Sequence, residues 1–340
     1  MSILVTGGAG YIGSHTVRAL ESRGQEVVVL DSLEKGHRQA VPNSPLVEGD
    51  LGDASLLDTV FRDFSVNAVV HFAAHSLVGE SVKRPDIYFK NNVGCLFTLL
   101  DTMRNHSVDR LVFSSTAAVY GEPKEIPIPE CHPKTPENPY GESKLFAETI
   151  LRRHSEAFGL RYIALRYFNA AGADPAGGIG EDHTPESHLI PLVLQTLLGQ
   201  RPHIEIFGTD YPTPDGTCIR DYVHVNDLSD AHILSLDALS AGAPSTAYNL
   251  GNGRGFSVRE VIHAAEKVTQ QTVPVLSGQR RPGDPAILVA SSEKIQEELR
   301  WKPKFPDLAA IVETAWDWHR SHPNGFRSRE AKHGKGGPRS

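Results

Sequence analysis

Cysteine is scarce in this 340-residue chain, and its three cysteines, Cys95, Cys131 and Cys218, form no C-x-x-C pair. A disulfide framework and a cysteine zinc site are excluded, and no metal is expected. Long apolar runs are also missing; none reaches the roughly 18 residues that a membrane-spanning helix needs. Positive charge is not in excess: 34 Lys and Arg stand against 41 Asp and Glu, a net charge of −7. A mildly acidic chain is a poor nonspecific partner for nucleic acid or an anionic membrane, so neither is expected. Strand-like sequence begins at Ser2, which leaves no space for a signal peptide and predicts a cytoplasmic protein. What remains is globular, with 39% hydrophobic and 22% charged residues, enough for a sizeable core. The length predicts two domains, or one domain with a substantial annex.

The first half alternates β-rich runs with helical patterns. Ile3–Val5, Glu26–Leu30, Ala68–Phe72, Arg110–Phe113 and Ile163–Tyr167 read as strands. Tyr11–Arg23, Ala54–Phe61, Ile87–Arg104 and Ser143–Phe158 read as helices. Strands separated by helices predict βαβ units, hence an α/β protein with a Rossmann-type, doubly wound parallel sheet. After Ala170 the pattern changes: 172–186 is a Gly/Pro/Asp-rich loop, followed by a smaller mixed α/β region. The expected division is 1–170 for a dinucleotide domain and 171–326 for a substrate domain, with some later segments returning to the first. Residues 327–340 carry five basic residues, one acid and three glycines, and read as a disordered basic tail.

Gly7-Gly8-Ala9-Gly10-Tyr11-Ile12-Gly13 lies between the first strand and the first helix. Glycines at Gly7, Gly10 and Gly13 permit a tight turn and close backbone approach to a pyrophosphate at a helix N-terminus. Asp31 ends the next strand, near the spacing expected of an acid that binds ribose hydroxyls. Its charge would repel a 2′-phosphate, which favours NAD over NADP.

Tyr140 and Lys144 stand at i and i+4, on one helix face. An ammonium beside a phenol favours the phenolate, the base needed to deprotonate a secondary alcohol. The same spacing recurs at Tyr120 and Lys124, but Pro123 breaks any helix there, so Tyr120 reads as a packed loop aromatic. Thr116 closes the strand run Phe113-Ser114-Ser115-Thr116 and is the candidate hydroxyl partner of the substrate alcohol. His71 reads as packed.

Together these motifs resemble the extended short-chain dehydrogenase/reductase superfamily. Val78–Ser81, Asn91–Val93, Arg166–Asn169, Asp215–Val225, Tyr248–Gly251 and Arg281–Asp284 narrow the resemblance to the UDP-glucose 4-epimerase family, from Ile3 to about Gly325. The resemblance implies C4 epimerisation of a UDP-hexose through a 4-keto sugar, with NAD retained. Tyr140 would be the base, Lys144 would tune it and hold the nicotinamide ribose, and Thr116 would bridge to the 4-hydroxyl. Cofactor contacts would come from Tyr11, Ile12, Asp31, Asp50, Leu51, Phe72, Ala73, Ala74, Asn91, Ser114 and Phe168 as well. Asn169, Leu189, Phe207, Arg220, Tyr222, Arg281 and Asp284 would hold the UDP-sugar, the arginines at its diphosphate. Ser76 stands where some members carry a lysine, and Leu288 where the sugar 2-substituent is gated. The family also implies a homodimer through the helices near Ile87–Arg104 and Ser143–Phe158. The rival readings are an epimerase of another UDP-sugar, a 4,6-dehydratase, and a non-catalytic NAD-binding regulator. The dehydratase lacks its acid–base pair, because Ala117-Ala118 follows Thr116. The regulator would not need Tyr140 and Lys144.

Overall fold

The computed structural model describes residues 2–281 and 284–326. The basic segment 327–340, expected to be disordered, lies outside the described residues, as do Pro282 and Gly283. Strands β1 (Ser2–Thr6), β2 (Val27–Asp31), β3 (Leu46–Glu48), β4 (Val66–His71), β5 (Arg110–Thr116) and β6 (Arg161–Tyr167) form the first part of the sheet. Among them run α1 (Tyr11–Ser22), α2 (Ala54–Asp63), α3 (Val78–Lys83), α4 (Pro85–Tyr88), α5 (Cys95–Asn105) and α6 (Pro139–Phe158). Short strands follow: β7 (Asn169–Ala171), β8 (Ile204–Phe207), β9 (Ile219–Arg220) and β10 (Tyr222–His224). Then β11 (Thr246–Leu250) returns to the sheet beside β6, with Thr246 opposite Ile163. The sheet order is β11-β6-β5-β4-β1-β2-β3, every pair parallel. This is the Rossmann-type doubly wound arrangement that the strand–helix alternation predicts. Its order reverses between β1 and β4, where ligands lie against such sheets.

Both faces of the sheet are covered, so the middles of its strands are largely apolar; β1 and β2 have no exposed residue. Alternate residues feed opposite faces. Ile3 and Val5 join Val17 and Leu20 of α1 and Leu228 and Leu236 of α8 (Val225–Ser240). Leu4 joins Leu57 of α2, Leu99 of α5 and Leu151 of α6. A third core packs α7 (Leu189–Leu197), α9 (Val258–Thr269) and α11 (Leu308–Ser321) around Ile190, Val261 and Ile311. Short strands β12 (Phe256–Ser257), β13 (Val275–Gly278) and β14 (Ile287–Leu288) and helix α10 (Glu293–Leu299) complete the chain. Strand β14 runs parallel to β9, with Leu288 opposite Arg220.

One expected helix is not continuous. The apolar pattern of Ile87–Arg104 predicts a single run, but a π-helical turn, Phe89–Gly94, separates α4 from α5. Asn92 within it is buried and accepts from the His75 N–H at 2.8 Å through Oδ1. Its Nδ2 donates to the His75 carbonyl and to Ser143 Oγ, both at 3.0 Å. The wider turn thus carries a polar tie among the loop after β4, α5 and α6, a typical use of π-turns.

Candidate active site

Four residues, Gly-Gly-Ala-Gly, separate β1 from α1. Gly7 has φ +68°, and a Cβ there would lie 2.6 Å from the Ala73 nitrogen. A Cβ on Gly13 would lie 2.3 Å from the Gly7 carbonyl oxygen. Neither position admits a side chain, so bare backbone lines the approach to the α1 N-terminus; Gly10 is its N-cap. Phe72 and Ala73, half-buried beyond β4, donate their N–H groups to the Thr6 carbonyl at 2.9 and 3.1 Å, and Ala74 follows. These features fit a dinucleotide pyrophosphate.

Asp31 ends β2 nearly buried. Its Oδ2 accepts from the Ala9 N–H at 2.9 Å and its Oδ1 from the Leu33 N–H at 2.8 Å. Burial raises the carboxyl pKa, and these two hydrogen bonds oppose the rise. The carboxylate is thereby fixed beside the glycine turn with lone pairs left for a diol. Asp31→Ala is expected to narrow the preference for NAD over NADP at least about 10-fold, measured by titrating both nucleotides. An unchanged ratio would remove Asp31 from cofactor selection.

The other expected cofactor residues differ in environment. Leu51 is buried under the sheet, whereas Asp50 is exposed and accepts from the Gly52 N–H at 2.7 Å. Ile12 is half-buried on α1, while the Tyr11 hydroxyl donates to the Gly172 carbonyl at 2.6 Å. That bond ties α1 to the loop after β7. Asn91 donates to Asn92 Oδ1 at 3.1 Å.

Helix α6 starts earlier than its apolar pattern predicts. Asn138 Oδ1 accepts from the Gly141 N–H at 2.9 Å, Pro139 occupies the first turn, and Gly159 at φ 75° ends the helix. Tyr140 therefore sits in the first turn, near the positive end of the helix dipole, with Lys144 one turn on. Tyr140 is half-buried; burial raises its pKa, and a hydrogen bond with the Thr116 side chain lowers it. Thr116 Oγ1 also accepts from the Ala118 N–H at 3.1 Å, so its own proton is free for an oxygen acceptor. Lys144 is buried, and its Nζ donates to the Ser114 carbonyl at 2.7 Å. Burial brings its pKa down to about 7, against an upward pull from Glu148. The Ser114 and Tyr167 hydroxyls are bonded to each other.

Tyr120 is packed, as expected, within a buried network. Arg166 donates from Nε and Nη2 to the two oxygens of Glu148, at 2.8 and 2.6 Å, and from Nη1 to the Tyr120 hydroxyl at 2.8 Å. Tyr120 in turn donates to Asn249 Oδ1 at 2.6 Å, joining β6 and β11 to the loop after β5. His71 is likewise buried, 2.6 Å from Thr6 Oγ1 through Nδ1.

Four expected substrate residues share one patch. Arg220 pairs with Asp284, whose N–H donates to the Arg281 carbonyl at 3.3 Å. The Arg281 guanidinium lies 4.1 Å from the Phe207 ring centroid. Asn169 donates its N–H and Nδ2 to the Asp221 carbonyl at 3.1 and 3.3 Å. Leu288 and Phe168 pack on Ala117, Val119 and Tyr120, directly after Thr116. Leu288 thus bridges the Thr116 strand end to Arg220. Tyr222 is buried in the third core, and Leu189 is half-buried against it. Sequence reasoning assigned no role to Asp221, which is buried and accepts from the N–H groups of Asn252 and Ala290 at 2.9 and 3.1 Å. Burial pushes its carboxyl up to about 7. An acid adjacent to Arg220 in sequence reads as an ion-pair partner, and nothing in the spacing reveals a backbone latch.

Comparisons with known proteins point to one family. Residues 3–251 match the NAD dependent epimerase/dehydratase family. A UDP-glucose 4-epimerase of Halalkalibacterium halodurans is 57% identical over 326 residues, covering 96% of this chain and 98% of that protein. A crystal structure of a UDP-glucose 4-epimerase superposes with a TM-score of 0.94 at 52% identity, covering 96% of this chain and 99% of the other. The UDP-glucose 4-epimerase of Brucella ovis, solved in complex with NAD, gives 0.91 at 46% identity, over 93% and 97% of the two chains.

Proposed function

Because this chain belongs to the NAD dependent epimerase/dehydratase family, we infer that it inverts C4 of a UDP-hexose, interconverting UDP-glucose and UDP-galactose with NAD as cofactor. The observation that carries this reading is the convergence of Thr116 at the end of β5 with Tyr140 and the buried Lys144, one turn apart at the start of α6, Lys144 being fastened to the Ser114 carbonyl at 2.7 Å. Tyr140 takes the 4-hydroxyl proton and returns it after the sugar has turned. Thr116 holds the same oxygen. Lys144, in its ammonium form, would place positive charge beside the end of β5 and hold the nicotinamide ribose there. Bound NAD supplies the acceptor, and then the donor, of the C4 hydride. The glycine turn and Asp31 would hold that cofactor, helped by Tyr11, Ile12, Asp50, Leu51, Phe72, Ala73, Ala74, Asn91, Ser114 and Phe168. Arg220 and Arg281 bind the diphosphate, with Asn169, Leu189, Phe207, Tyr222 and Asp284 around the nucleotide and sugar. The division near Ala170 then separates cofactor residues from most substrate residues. Incubation with UDP-galactose, UDP-N-acetylgalactosamine and UDP-xylose separately tests the reading: C4 inversion of UDP-galactose is expected, and inversion of none overturns it.

Leu288 sets the room near the sugar. Leu288→Ser is expected to raise turnover of UDP-N-acetylgalactosamine relative to UDP-galactose about 10-fold, from relief of steric overlap. An unchanged ratio would remove it as a gate.

We also propose a homodimer through α5 and α6. Phe97, Phe146 and Phe158 on these helices are 46%, 54% and 55% exposed, an apolar face suited to a second copy. Analytical ultracentrifugation is expected to give a dimer for the unaltered protein and a monomer for Phe97→Glu/Phe146→Glu. A dimer that survives both charges would locate the interface elsewhere.

A further inference from the structure

The loop between β7 and α7 gathers a cluster that the reaction does not use. Glu181, His183, Glu186 and His188 each present one donor atom, and these four atoms lie within 4.8 Å of one another. We infer that they bind a divalent cation, zinc by donor chemistry, and that this ion fastens the loop as a structural staple.

The geometry is close to that of a four-coordinate site. His183 Nδ1 lies 3.2 Å from Glu181 Oε1 and 3.8 Å from Glu186 Oε2. His188 Nδ1 meets the same Glu181 oxygen. Tetrahedral zinc with bonds of about 2.0–2.2 Å holds its donors roughly 3.3–3.6 Å apart, so shifts of about 1 Å complete the shell. Charge points the same way. The Glu181 and Glu186 side chains are only 3% and 5% exposed, and two buried carboxylates need two compensating charges. A dication with two neutral imidazoles supplies them without placing two imidazolium rings 5.4 Å apart.

The carboxylates and the loop are held from outside. Glu186 Oε1 accepts from the N–H groups of Ser187 and His188 at 2.6 and 2.8 Å, which leaves Oε2 for the cluster. Trp318 Nε1 of α11 donates to the Glu181 carbonyl at 3.0 Å. The Tyr11 ring stands edge-on to His183, with centroids 6.1 Å apart. Outer contacts of this kind orient metal ligands. Two imidazole nitrogens with two carboxylate oxygens favour zinc over magnesium or calcium, which take all-oxygen shells. The ion would join the loop to the first turn of α1 and to α11. The E-x-H-x-x-E-x-H spacing escapes a search built on cysteine pairs, which is why the sequence pointed to no metal.

Elemental analysis and calorimetry on the full chain test this. The chelator-treated protein is expected to take up about one zinc per chain and to recover a melting temperature lowered by chelation. His183→Asn/His188→Asn is expected to take up none at this affinity and to melt independently of zinc. Should that variant fail to fold, Glu186→Gln decides, because it keeps the Oε1 hydrogen bonds and removes one anionic donor; its zinc affinity is expected to fall at least about 10-fold. Cobalt in place of zinc is expected to show the intense visible bands of a tetrahedral site. Zinc uptake that is absent, or equal in protein and variants, overturns the inference.

Discussion

Replacing Tyr140 by Phe is expected to cut turnover by roughly 100-fold or more while NAD stays bound. The substitution removes one oxygen and keeps the ring, so the edge-to-face packing on Tyr88, with centroids 6.5 Å apart, persists. What is lost is the phenol oxygen, the proton-shuttling group assigned to this site. Thr116 remains and still holds the sugar oxygen, so KM is expected to change less than kcat. A steady-state assay with UDP-galactose, paired with release and mass analysis of the bound nucleotide, reads both effects. Activity within a few-fold of the unaltered protein would dismiss Tyr140 as the base.

Glu148→Ala is expected to destabilise the protein by about 3–5 kcal/mol, because it leaves a buried guanidinium without its counter-charge. The Arg166 side chain is 5% exposed and the Glu148 side chain 9%, and the pair is bidentate. Ser115 Oγ also loses its acceptor at 2.6 Å. For a chain of this size the loss corresponds to a melting temperature roughly 4–7 °C lower. Glu148→Leu with Arg166→Met is expected to cost less than Glu148→Ala alone, since no charge is left unpaired. The single variant has a second consequence. Glu148 pulls the Lys144 pKa upward, so its removal drives that pKa below about 7 and leaves less ammonium at neutral pH. The activity maximum of Glu148→Ala therefore moves to lower pH. A variant that melts with the unaltered protein would show the ion pair to be dispensable.

These cases also show where the amino-acid sequence is informative. The strands of the sheet are legible from their runs of Val, Ile and Leu because burial on both faces demands them. Helix α9 shows the same agreement of local signals: its apolar positions repeat at helical spacing, and Ser257 with Glu260 forms a capping box. Strand β11, Thr-Ala-Tyr-Asn-Leu, is not legible, since it carries no run of β-branched residues, and the seven residues of helix α10 are too few to display a period. The π-turn at Phe89–Gly94 is invisible because Phe89, Val93 and Leu96 keep the i, i+4, i+7 spacing of a continuous helix. At the site, Tyr140 stands out from Tyr120 through the prolines around the latter, a local signal. Asp221 and the Arg166–Glu148 pair make their contacts across long sequence separations. Spacing arguments reach only neighbours, so these residues emerge once the strands are ordered.

The return of β11 to the sheet governs how the chain must be made. Strand β6 receives its outer neighbour from residues 246–250, about eighty positions later. Until a ribosome has released that segment, β6 is an open edge of unpaired N–H and C=O groups beside apolar neighbours. The late arrival of a parallel partner is a long-range, slow step. A fragment cut after Ala171 would keep the glycine turn, Asp31 and Tyr140, yet carry a permanent sticky edge. Expressed alone, that fragment is expected to aggregate, which comparison of its soluble yield with that of the full chain checks.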